Sequence, residues 1–423
     1  ALAAAPTPTL TPEPALIAGS LAEGLAARGH EVRVLTGYPN YPHGTLYPGF
    51  RQRWRDVTTN GAITVRRVPL YPSHDDSAVR RAANYLSFAA TSTAAATRFL
   101  SDVDVIYVYH PPGTAFAAAA LMRLLRRIPV VLHVQDLWPE SISESSMAPG
   151  GVAGAGLHRL VGAAMRRVYS AASAIITLSP IMRELLIERG ADPAKVSVVL
   201  NWTDETLFRP VPVTEEARRA LGYRGRRLVM HAGNIGRFQN MAVAVRAAAA
   251  VEHSAPLDLV IVGSGLEEES TRRLATELGA GNVRFLGRRD PAEMAPLYAA
   301  TDFQLLSVRN LPGLRGAIPS KLQAALACGS PVVSAVGGDC FQLVRHNRVG
   351  FAVPPDDGDA LAGAFAQAAL VTDREVAAMG RRARACYEEQ MSCRAGVDAV
   401  TAILADAAGL AVPPALAYQG ATR

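Results

Sequence analysis

Glycines and a cation come together in a short segment that joins a strand-like run to a helix-like run. The segment contains Gly233, Asn234, Gly236 and Arg237. Glycines let a backbone approach a phosphate, a helix N-terminus offers unpaired N–H groups, and Arg237 adds a full positive charge. The pattern indicates an anion site, although a tight turn with a solvated arginine fits these residues equally well.

A second cation opens a predicted helix. The segment Pro319–Lys321 precedes a helix expected over Leu322–Cys328, with Ser320 as its N-cap. A lysine in the first turn opposes the helix dipole, so a nearby anion would explain it. Only Lys195 and Lys321 are lysines among the 43 basic residues. In a chain that so strongly prefers arginine, the lysine at position 321 favours a binding role.

Polar and aromatic side chains follow other strand-like runs. His133 and Asp136 end a run that begins at Val130, and ligands bind at the carboxyl ends of parallel strands, so this pair is a catalytic candidate. A structural hydrogen bond between the two is the alternative. The loop from Gly37 to His43 is rigid and aromatic and could bind a sugar ring or merely pack, whereas the Tyr and Pro residues of the segment from Tyr109 to Pro112 are more typical of shape than of chemistry.

No metal or cofactor site is expected. The Asp102–Asp104 triplet has the D-x-D form of some metal sites but precedes a strand, at the wrong end of a sheet for a ligand. The four cysteines contain no C-x-x-C pair, which argues against zinc and favours buried thiols in a reducing cytoplasm.

The elements that must hold these residues alternate between short buried strands and helices, which is typical of parallel sheets covered on both faces. The pattern is regular from Leu21, while Ala1–Pro14 is expected to be a loop. A Pro- and Asp-containing break at 201–212 separates two halves of similar rhythm. The expected fold is therefore α/β, with two Rossmann-like domains facing each other across a cleft.

Composition excludes several classes of protein. The chain has 423 residues, of which 49% are hydrophobic and 19% charged, which excludes a disordered chain. No uninterrupted apolar run reaches the roughly 18 residues of a membrane span, and the N-terminus lacks the layout of a secretory signal. The net charge is +6, but the arginines are scattered, so nucleic acid is not an expected partner.

Together these segments resemble the retaining glycosyltransferases of family 4 with the GT-B fold, and most closely the bacterial branch that assembles exopolysaccharide and O-antigen, the colanic-acid type. The resemblance runs from Leu21 to Leu404. Its carriers are LAEGLAARGHEVRVLTGYPNYP (Leu21–Pro42), HVQDLWPES (His133–Ser141), ITLSP (Ile176–Pro180), NW (Asn201–Trp202), AGNIGR (Ala232–Arg237), VGSG (Val262–Gly265), FLGR (Phe285–Arg288), PSK (Pro319–Lys321) and ACGSPVV (Ala327–Val333).

The resemblance implies an acceptor-side domain over 1–203, a nucleotide-sugar-binding domain over 204–390, a helix at about 391–410 that packs back on the first domain, and a tail at 411–423. It implies retaining, metal-independent transfer of a hexosyl or N-acetylhexosaminyl group, with a UDP-sugar favoured, to a glycan, a polyprenyl-linked acceptor or a small molecule. The implied donor-binding residues are Gly233, Asn234, Gly236, Arg237, Gly265, Leu286, Pro319, Ser320 and Lys321, and the implied catalytic residues are His133 and Asp136. The implied acceptor-binding residues are Tyr38, Asn40, Tyr41, Tyr109, His110 and Trp138.

Two departures from the family pattern keep other functions open. Gly316 and Ala324 stand where many members carry paired glutamates, and Ala1–Ser20 supplies no convincing first strand with a glycine-rich loop. A catalytically silent nucleotide-sugar-binding paralogue or partner subunit is therefore the alternative. A nucleotide-sugar epimerase is a third possibility, but Asp136 and Glu140 are the only obvious carboxylates for it.

Membrane contact is a further expectation. Basic and apolar residues lie side by side in Val79–Phe99, around Arg123, Arg126 and Arg127, and at Arg166 and Arg167. Such helices suit shallow binding to anionic lipid, which would place a cytoplasmic enzyme at the inner face of the cell membrane. Helices packed on a sheet produce the same pattern.

Overall fold

The computed structural model describes residues 2–3, 16–41, 44–73, 77–110, 113–138, 151–311 and 314–410. The chain divides into two compact units. The first comprises Ala1–Leu200 with Cys393–Arg423, and the second comprises Asn201–Ser392. The predicted tail at 411–423 lies outside the described residues, as do Pro42, Pro112 and Glu140.

The described strands, in chain order, are β1 (Leu2–Ala3), β2 (Val32–Gly37), β3 (Asp56–Asn60), β4 (Ile63–Val68), β5 (Ile106–His110), β6 (Val130–Val134), β7 (Ala174–Thr177), β8 (Val196–Val198), β9 (Arg227–Ala232), β10 (Leu257–Val262), β11 (Val283–Gly287), β12 (Phe303–Ser307), β13 (Val332–Ala335) and β14 (Gly350–Ala352).

The described α-helices are α1 (Leu16–Ala27), α2 (Ala78–Phe99), α3 (Phe116–Arg126), α4 (Gly151–Ala171), α5 (Pro180–Glu188), α6 (Glu215–Ala220), α7 (Met241–Ala250), α8 (Glu268–Glu277), α9 (Met294–Ala300), α10 (Ser320–Ala327), α11 (Gly338–His346), α12 (Gly358–Leu370), α13 (Asp373–Gln390) and α14 (Cys393–Ala407). None of these helices has both the length and the apolar character needed to cross a membrane.

Each unit is built on one sheet. The first sheet has the order β3-β4-β2-β1-β5-β6-β7-β8, and the second has the order β11-β10-β9-β12-β13-β14. All pairs are parallel except β3 with β4. Central strands such as β6 and β10 are buried along their whole length, because helices cover both faces. The predicted parallel α/β organisation is confirmed.

The sequence pattern does not predict two of the strands, β1 and β3. Leu2 and Ala3 were expected in a loop but form β1, whose residue Leu2 pairs with Val34 of β2 and with Tyr107 of β5. Two residues give no periodicity, so only the two flanking strands identify this one. The polar strand β3 forms an antiparallel edge hairpin with β4 and is largely exposed, so it has no apolar signature.

The last described helix, α14, belongs to the first unit. A methyl group at Gly24 of α1 would approach the side chain of Val397 to 2.8 Å, so this glycine permits close packing of the two helices. The Arg28 guanidinium Nε donates to Asp398 Oδ1 at 2.9 Å. In the same unit Asp102 accepts from Arg33 at 2.6 Å, so the first carboxylate of the D-x-D triplet serves an ion pair.

A buried carboxylate holds the first strands of the second sheet together. Asp258 lies on β10 with a side chain only 2% exposed, and its two oxygens lie 2.9 Å from Arg226 Nε and 3.1 Å from Arg284 of β11. Burial lowers the pKa of Arg284 from its usual value. A buried charge needs this compensation, so each partner depends on the others.

Replacing Asp258 by alanine should destabilise the second unit by about 3–5 kcal/mol, because two guanidinium groups lose their buried counter-ion. The thermal midpoint of that unit should fall by roughly 10 °C in calorimetry. Asp373→Ala is the matched control, since its carboxylate also meets an arginine, at 2.7 Å, but its side chain is 92% exposed. Equal effects of the two substitutions would contradict the role given to burial.

Candidate functional site

The loops that follow β9, β10 and β11 lie against one another at the carboxyl edge of the second sheet. The Gly233 amide donates to Val262 O at 2.8 Å, and the Gly263 amide donates to Gly287 O at 2.8 Å. A methyl group at Gly263, which has φ +139°, would lie 1.9 Å from Gly233 O. Only glycine permits this approach, so the edge has a bare backbone surface.

The rest of the predicted glycine segment continues along this edge. The Ile235 amide donates to Ser264 O at 3.0 Å, and a methyl group at Gly265 would lie 2.5 Å from Asn234 Oδ1. The Gly236 amide donates to Gln239 Oε1 at 3.1 Å. The side chains of Asn234 and Arg237 remain exposed. These contacts place the predicted donor-binding loop where a ligand can reach it.

The helix α10 begins at Ser320, two residues before the expected start at Leu322. Ser320 is its first residue, and Pro319 is the N-cap without a side-chain cap bond, so the prediction of Ser320 as N-cap is wrong. Proline's fixed φ of −60° and extended ψ of 137° start the helix without a capping oxygen. Ser320 is therefore left exposed at the helix N-terminus.

Lys321 meets the glycine loop. A methyl group at Gly233 would lie 2.8 Å from Lys321 Cε and 3.2 Å from its Nζ, so the lysine stem occupies the space that this glycine leaves. Burial lowers the pKa of Lys321. No counter-ion for Lys321 is found among the described residues. A cation that has lost part of its hydration, beside open backbone, is prepared to bind an anion.

A histidine that the sequence did not single out lies behind the lysine. His231 on β9 is fully buried, and burial, aided by the charge of Lys321, lowers its pKa to about 3. Its Nε2 lies 3.4 Å from Asn234 O. The imidazole is therefore neutral and adds no second cation.

The predicted donor-binding residue Leu286 is half-buried on β11. The next residue, Gly287, accepts the hydrogen bond from the Gly263 amide through its carbonyl oxygen.

Of the two predicted catalytic residues in the first unit, His133 does not reach the sheet edge. Its ring is fully buried within β6, and both nitrogens have partners, Tyr107 Oη at Nδ1 and the Gln135 amide at Nε2. Burial lowers its pKa to about 3. The imidazole is therefore enclosed by protein in this structure, and its assignment as a catalytic residue stays a prediction.

Asp136 does reach the edge. Its carboxylate is solvent-accessible, yet the surrounding protein removes part of its hydration and raises its pKa. Tyr109, half-buried at the end of β5, lies opposite His133 in the strand register, with ring centroids 5.8 Å apart. Burial, and then the charge of Asp136, raise the pKa of Tyr109. No hydrogen bond between His133 and Asp136 accounts for either residue, since both ring nitrogens are occupied.

The remaining predicted acceptor residues divide by exposure. His110 is fully buried with neither ring nitrogen bonded in the described part of the chain, and burial lowers its pKa to about 4. Trp138 is half-buried and packs edge-on against His110, with centroids 5.4 Å apart. Trp138 can therefore offer a ring face to a sugar, whereas His110 is a packing residue.

Tyr38 and Asn40 are structural, contrary to expectation. Tyr38 is fully buried, its hydroxyl accepts from the Arg53 amide at 2.9 Å, and burial raises its pKa to about 12. Asn40 is also buried and donates to Tyr38 O at 3.0 Å. The two residues fold the loop after β2 back on itself and leave Tyr41 exposed. Of these three predicted acceptor contacts, Tyr41 alone is accessible.

Comparison with protein families identifies both units. Residues 14–202 match the model of the glycosyl transferase 4-like domain, and residues 226–370 match that of glycosyl transferases group 1. WcaI of Escherichia coli strain K12, named as a colanic acid biosynthesis glycosyl transferase, is 29% identical over 84% of this chain and 88% of its own. The N-acetyl-alpha-D-glucosaminyl L-malate synthase of Bacillus anthracis is 24% identical over 89% of each chain.

Solved structures show the same fold. HepE of Anabaena in complex with UDP superposes with a TM-score of 0.68 and 20% identity over 96% of this chain and 99% of that chain. Sucrose-phosphate synthase of Thermosynechococcus elongatus gives a TM-score of 0.69 and 18% identity over 94% of this chain and 96% of that chain. The predicted GT-B fold is thereby confirmed.

Lys321→Ala should weaken the binding of UDP roughly 10- to 100-fold, because a hydrogen bond to a charged group contributes about 1.5–3 kcal/mol. Titration calorimetry measures this directly. Lys195→Ala, which removes the chain's other lysine, is the control, since its Nζ donates to Ala172 O at 3.2 Å in the first unit. Unchanged UDP affinity in Lys321→Ala would place the diphosphate elsewhere.

Proposed function

Because the chain belongs to the family 4-like glycosyltransferases of the GT-B fold, we propose that it transfers a hexosyl or N-acetylhexosaminyl group from a UDP-sugar to an acceptor hydroxyl, with retention of anomeric configuration and without a metal ion. The observation that carries the proposal is the partly desolvated Lys321, which lies against Gly233 without a counter-ion among the described residues.

In this proposal, the second unit holds the leaving diphosphate. As the bond to the sugar breaks, negative charge grows on the β-phosphate, and preoriented donors aimed at that charge lower the barrier. Lys321 supplies one cation and the exposed Arg237 a second. The loop backbone around Gly233 and the N-terminus of α10 supply amide donors. The uracil base of the donor would lie against β11, near Leu286.

The first unit would then bind the hydroxyl-bearing substrate. Asp136, with its raised pKa, is the accessible carboxylate of this edge and the residue we assign to the acceptor hydroxyl or to the transferred sugar. Tyr109, Trp138 and the exposed Tyr41 offer aromatic faces and hydroxyls. The buried residues of this unit that hold the loops of this edge in place are His133, His110, Tyr38 and Asn40.

The names of related proteins support a UDP-sugar as the donor. They are compatible with two kinds of acceptor, a glycan and a small molecule. HepE is seen with UDP and with UDP-glucose, which supports a UDP-sugar. WcaI is named for colanic acid biosynthesis, which supports a glycan or polyprenyl-linked acceptor, whereas the Bacillus anthracis synthase is named for L-malate, a small molecule. We favour the glycan, because the resemblance in the first unit includes the HVQDLWPES segment of that branch.

Incubation with UDP-glucose, UDP-galactose, UDP-N-acetylglucosamine and UDP-glucuronic acid in the presence of EDTA should release UDP from at least one donor, because Arg237 and Lys321 replace a metal in neutralising charge. With a methyl glycoside added as acceptor, proton NMR of the new glycosidic bond should show the donor's anomeric configuration.

Two outcomes would contradict this proposal. UDP release that requires added manganese or magnesium would overturn metal independence. Binding of a UDP-sugar without hydrolysis or transfer to any acceptor would favour the catalytically silent paralogue.

We further propose a shallow contact between the first unit and anionic lipid. Leu124 and Leu125, at the end of α3, are 78% and 58% exposed. The arginines that flank them, at 123, 126 and 127, are exposed as well. On α2, Leu86 is exposed but Phe88 is buried, so the surface is narrower than the sequence suggested. Apolar side chains beside guanidinium groups suit the headgroup region of a membrane.

Replacing Leu124 and Leu125 together by serine should reduce co-flotation with phosphatidylglycerol vesicles severalfold at low salt, because two apolar anchors are lost. Leu370→Ser in the second unit is the control, since that leucine is 80% exposed but is flanked in sequence by Ala369 and Val371 instead of arginines. Failure of the unaltered protein to float at low salt, where electrostatic attraction is greatest, would overturn the proposal and favour a small soluble acceptor.

A further inference from the structure

Arg67, near the carboxyl end of β4, is a buried cation without a counter-ion in the part of the chain that the structure describes. The residue is only 8% exposed, and its Nε is buried without a hydrogen-bond partner. Its two terminal nitrogens keep contact with solvent and have no partner among the described residues either. We propose that Arg67 binds a phosphate or diphosphate group carried by an oligosaccharide acceptor.

Aromatic side chains lie next to the guanidinium group. Its central carbon lies 5.6 Å from the centroid of the Phe50 ring, and that ring packs edge-on against Tyr38. Burial, followed by a hydrogen bond with Asp56, raises the pKa of the Tyr38 hydroxyl to about 12, and the charge of Arg67 acts in the opposite direction. A ring face attracts a cation, but it supplies no acceptor for the N–H groups that have lost water.

Asp56 is the carboxylate that could neutralise Arg67. It lies opposite Arg67 in the register of β3 and β4, but the two side chains form no ion pair. Between positions 44 and 73 Asp56 is the single acidic residue, against five arginines at 51, 53, 55, 66 and 67. The first three of these are exposed. A surface with such an excess of positive charge attracts anions and raises their local concentration.

The missing partner makes Arg67 unlike the other largely buried arginines. Arg284 meets Asp258 at 3.1 Å, and Arg227 meets Asp302 at 2.8 Å. Removing a charged group from water costs free energy unless ion pairs and hydrogen bonds replace its hydration. The planar guanidinium group, with free N–H groups at its accessible end, matches two oxygens of a phosphate. A bound phosphate would therefore supply the partner that the protein does not.

The neighbouring Arg66 provides a contrast on the same strand. Its side chain lies on the opposite face of the sheet, because successive residues of a strand alternate. There its guanidinium carbon lies 5.8 Å from the centroid of Phe99, and its Nη1 donates to Ala95 O at 3.5 Å, both on α2. Arg66 thus has an acceptor within the protein, and it is the matched control for Arg67.

The position of Arg67 sets the length of the acceptor. The strands β4 and β6 are four strand spacings apart in the sheet order, which is roughly 19 Å. Arg67 lies near the carboxyl end of β4, and Asp136 follows the carboxyl end of β6. A single pyranose ring is much shorter than this separation, so at least two rings must lie between the phosphate and the reacting hydroxyl. This step rests on the proposed function, because only there does Asp136 mark the reacting hydroxyl.

The anion site is tested by titration calorimetry of the full chain with inorganic pyrophosphate, in the presence of saturating UDP to fill the proposed donor site. Arg67→Met removes the charge and keeps an unbranched side chain on Phe50. It should lower the affinity for pyrophosphate roughly tenfold or more, whereas Arg66→Met should leave that affinity unchanged. Equal affinities of the unaltered protein and Arg67→Met would overturn the site.

Thermal stability separates an anion site from a structural ion pair. Without pyrophosphate, Arg67→Met should unfold at the same temperature as the unaltered protein or at a higher one, because an uncompensated buried charge is removed. Added pyrophosphate should raise the midpoint of the unaltered protein but not that of the variant. A lower midpoint of Arg67→Met without pyrophosphate would mean that Arg67 has a structural partner, and would overturn the proposal.

A gain of affinity provides a second check that misfolding cannot imitate. Asp56→Asn should bind pyrophosphate several-fold more tightly than the unaltered protein, because a carboxylate that repels the anion is removed. Unchanged or weaker binding in Asp56→Asn would show that no anion binds beside Arg67.

The source of the phosphate is decided with acceptors that differ in one group. A trisaccharide 1-phosphate should have a KM roughly tenfold lower than the methyl glycoside of the same trisaccharide, and Arg67→Met should remove this difference. The corresponding pair of monosaccharides should show no difference, because a monosaccharide is too short. Loss of co-flotation of Arg67→Met with phosphatidylglycerol vesicles, with both KM values unchanged, would assign the phosphate to a lipid headgroup and overturn the acceptor role.

Failure of the proposed function gives a different result. If the protein binds no UDP and transfers no sugar, the donor proposal fails, while the pyrophosphate titrations of Arg67→Met and Arg66→Met still decide the anion site. If sugar is transferred but the affinity for pyrophosphate does not depend on Arg67, the proposed function stands and the anion site is overturned.

Discussion

An ammonium group without a counter-ion among the described residues, held against a glycine backbone, is the constraint on which the carboxyl edge of the second sheet depends. Lys321 can lie where it does because Gly233 has no side chain, and Gly233 can lie there because Gly263 lets its carbonyl approach. Alanine at Gly233 would displace the Lys321 side chain, and alanine at Gly263 would displace the Gly233 carbonyl. Partly desolvating the lysine costs free energy of folding when no ligand is present. A bound anion would offset this cost, so the arrangement favours anion binding over the stability of the ligand-free protein.

The first unit carries polar side chains at the carboxyl edge of its own sheet, on strands that are otherwise buried. Fully buried residues next to these side chains have to hold them in place. His133 and His110 fill this role as neutral rings, since burial lowers the pKa of each to about 3 and about 4. Beside them, Asp136 is exposed and Tyr109 is half-buried.

Several features could be predicted because they depend on local pattern. Runs such as Leu257–Val262 and Phe303–Ser307 form buried strands, as expected for short, largely apolar runs between turns. The glycine loop before Arg237 and the lysine at the start of α10 were also placed correctly at strand and helix ends. The two-residue strand Leu2–Ala3 could not be predicted, because it exists only through its neighbours.

By itself, the sequence determined the order of the strands and helices other than β1 and β3, the parallel character of the two sheets and the segments that lie at their carboxyl edges, because hydrophobic period and glycine position act over a few residues. Only the tertiary structure decided which side chains at those edges are accessible. His133 and Tyr38 have the chemistry of substrate-binding residues but are fully buried, whereas Gln135 emerges half-exposed beside them. The direction of a side chain at a strand end depends on the neighbouring strands and on hydrogen bonds between residues distant in sequence, and no local pattern records it.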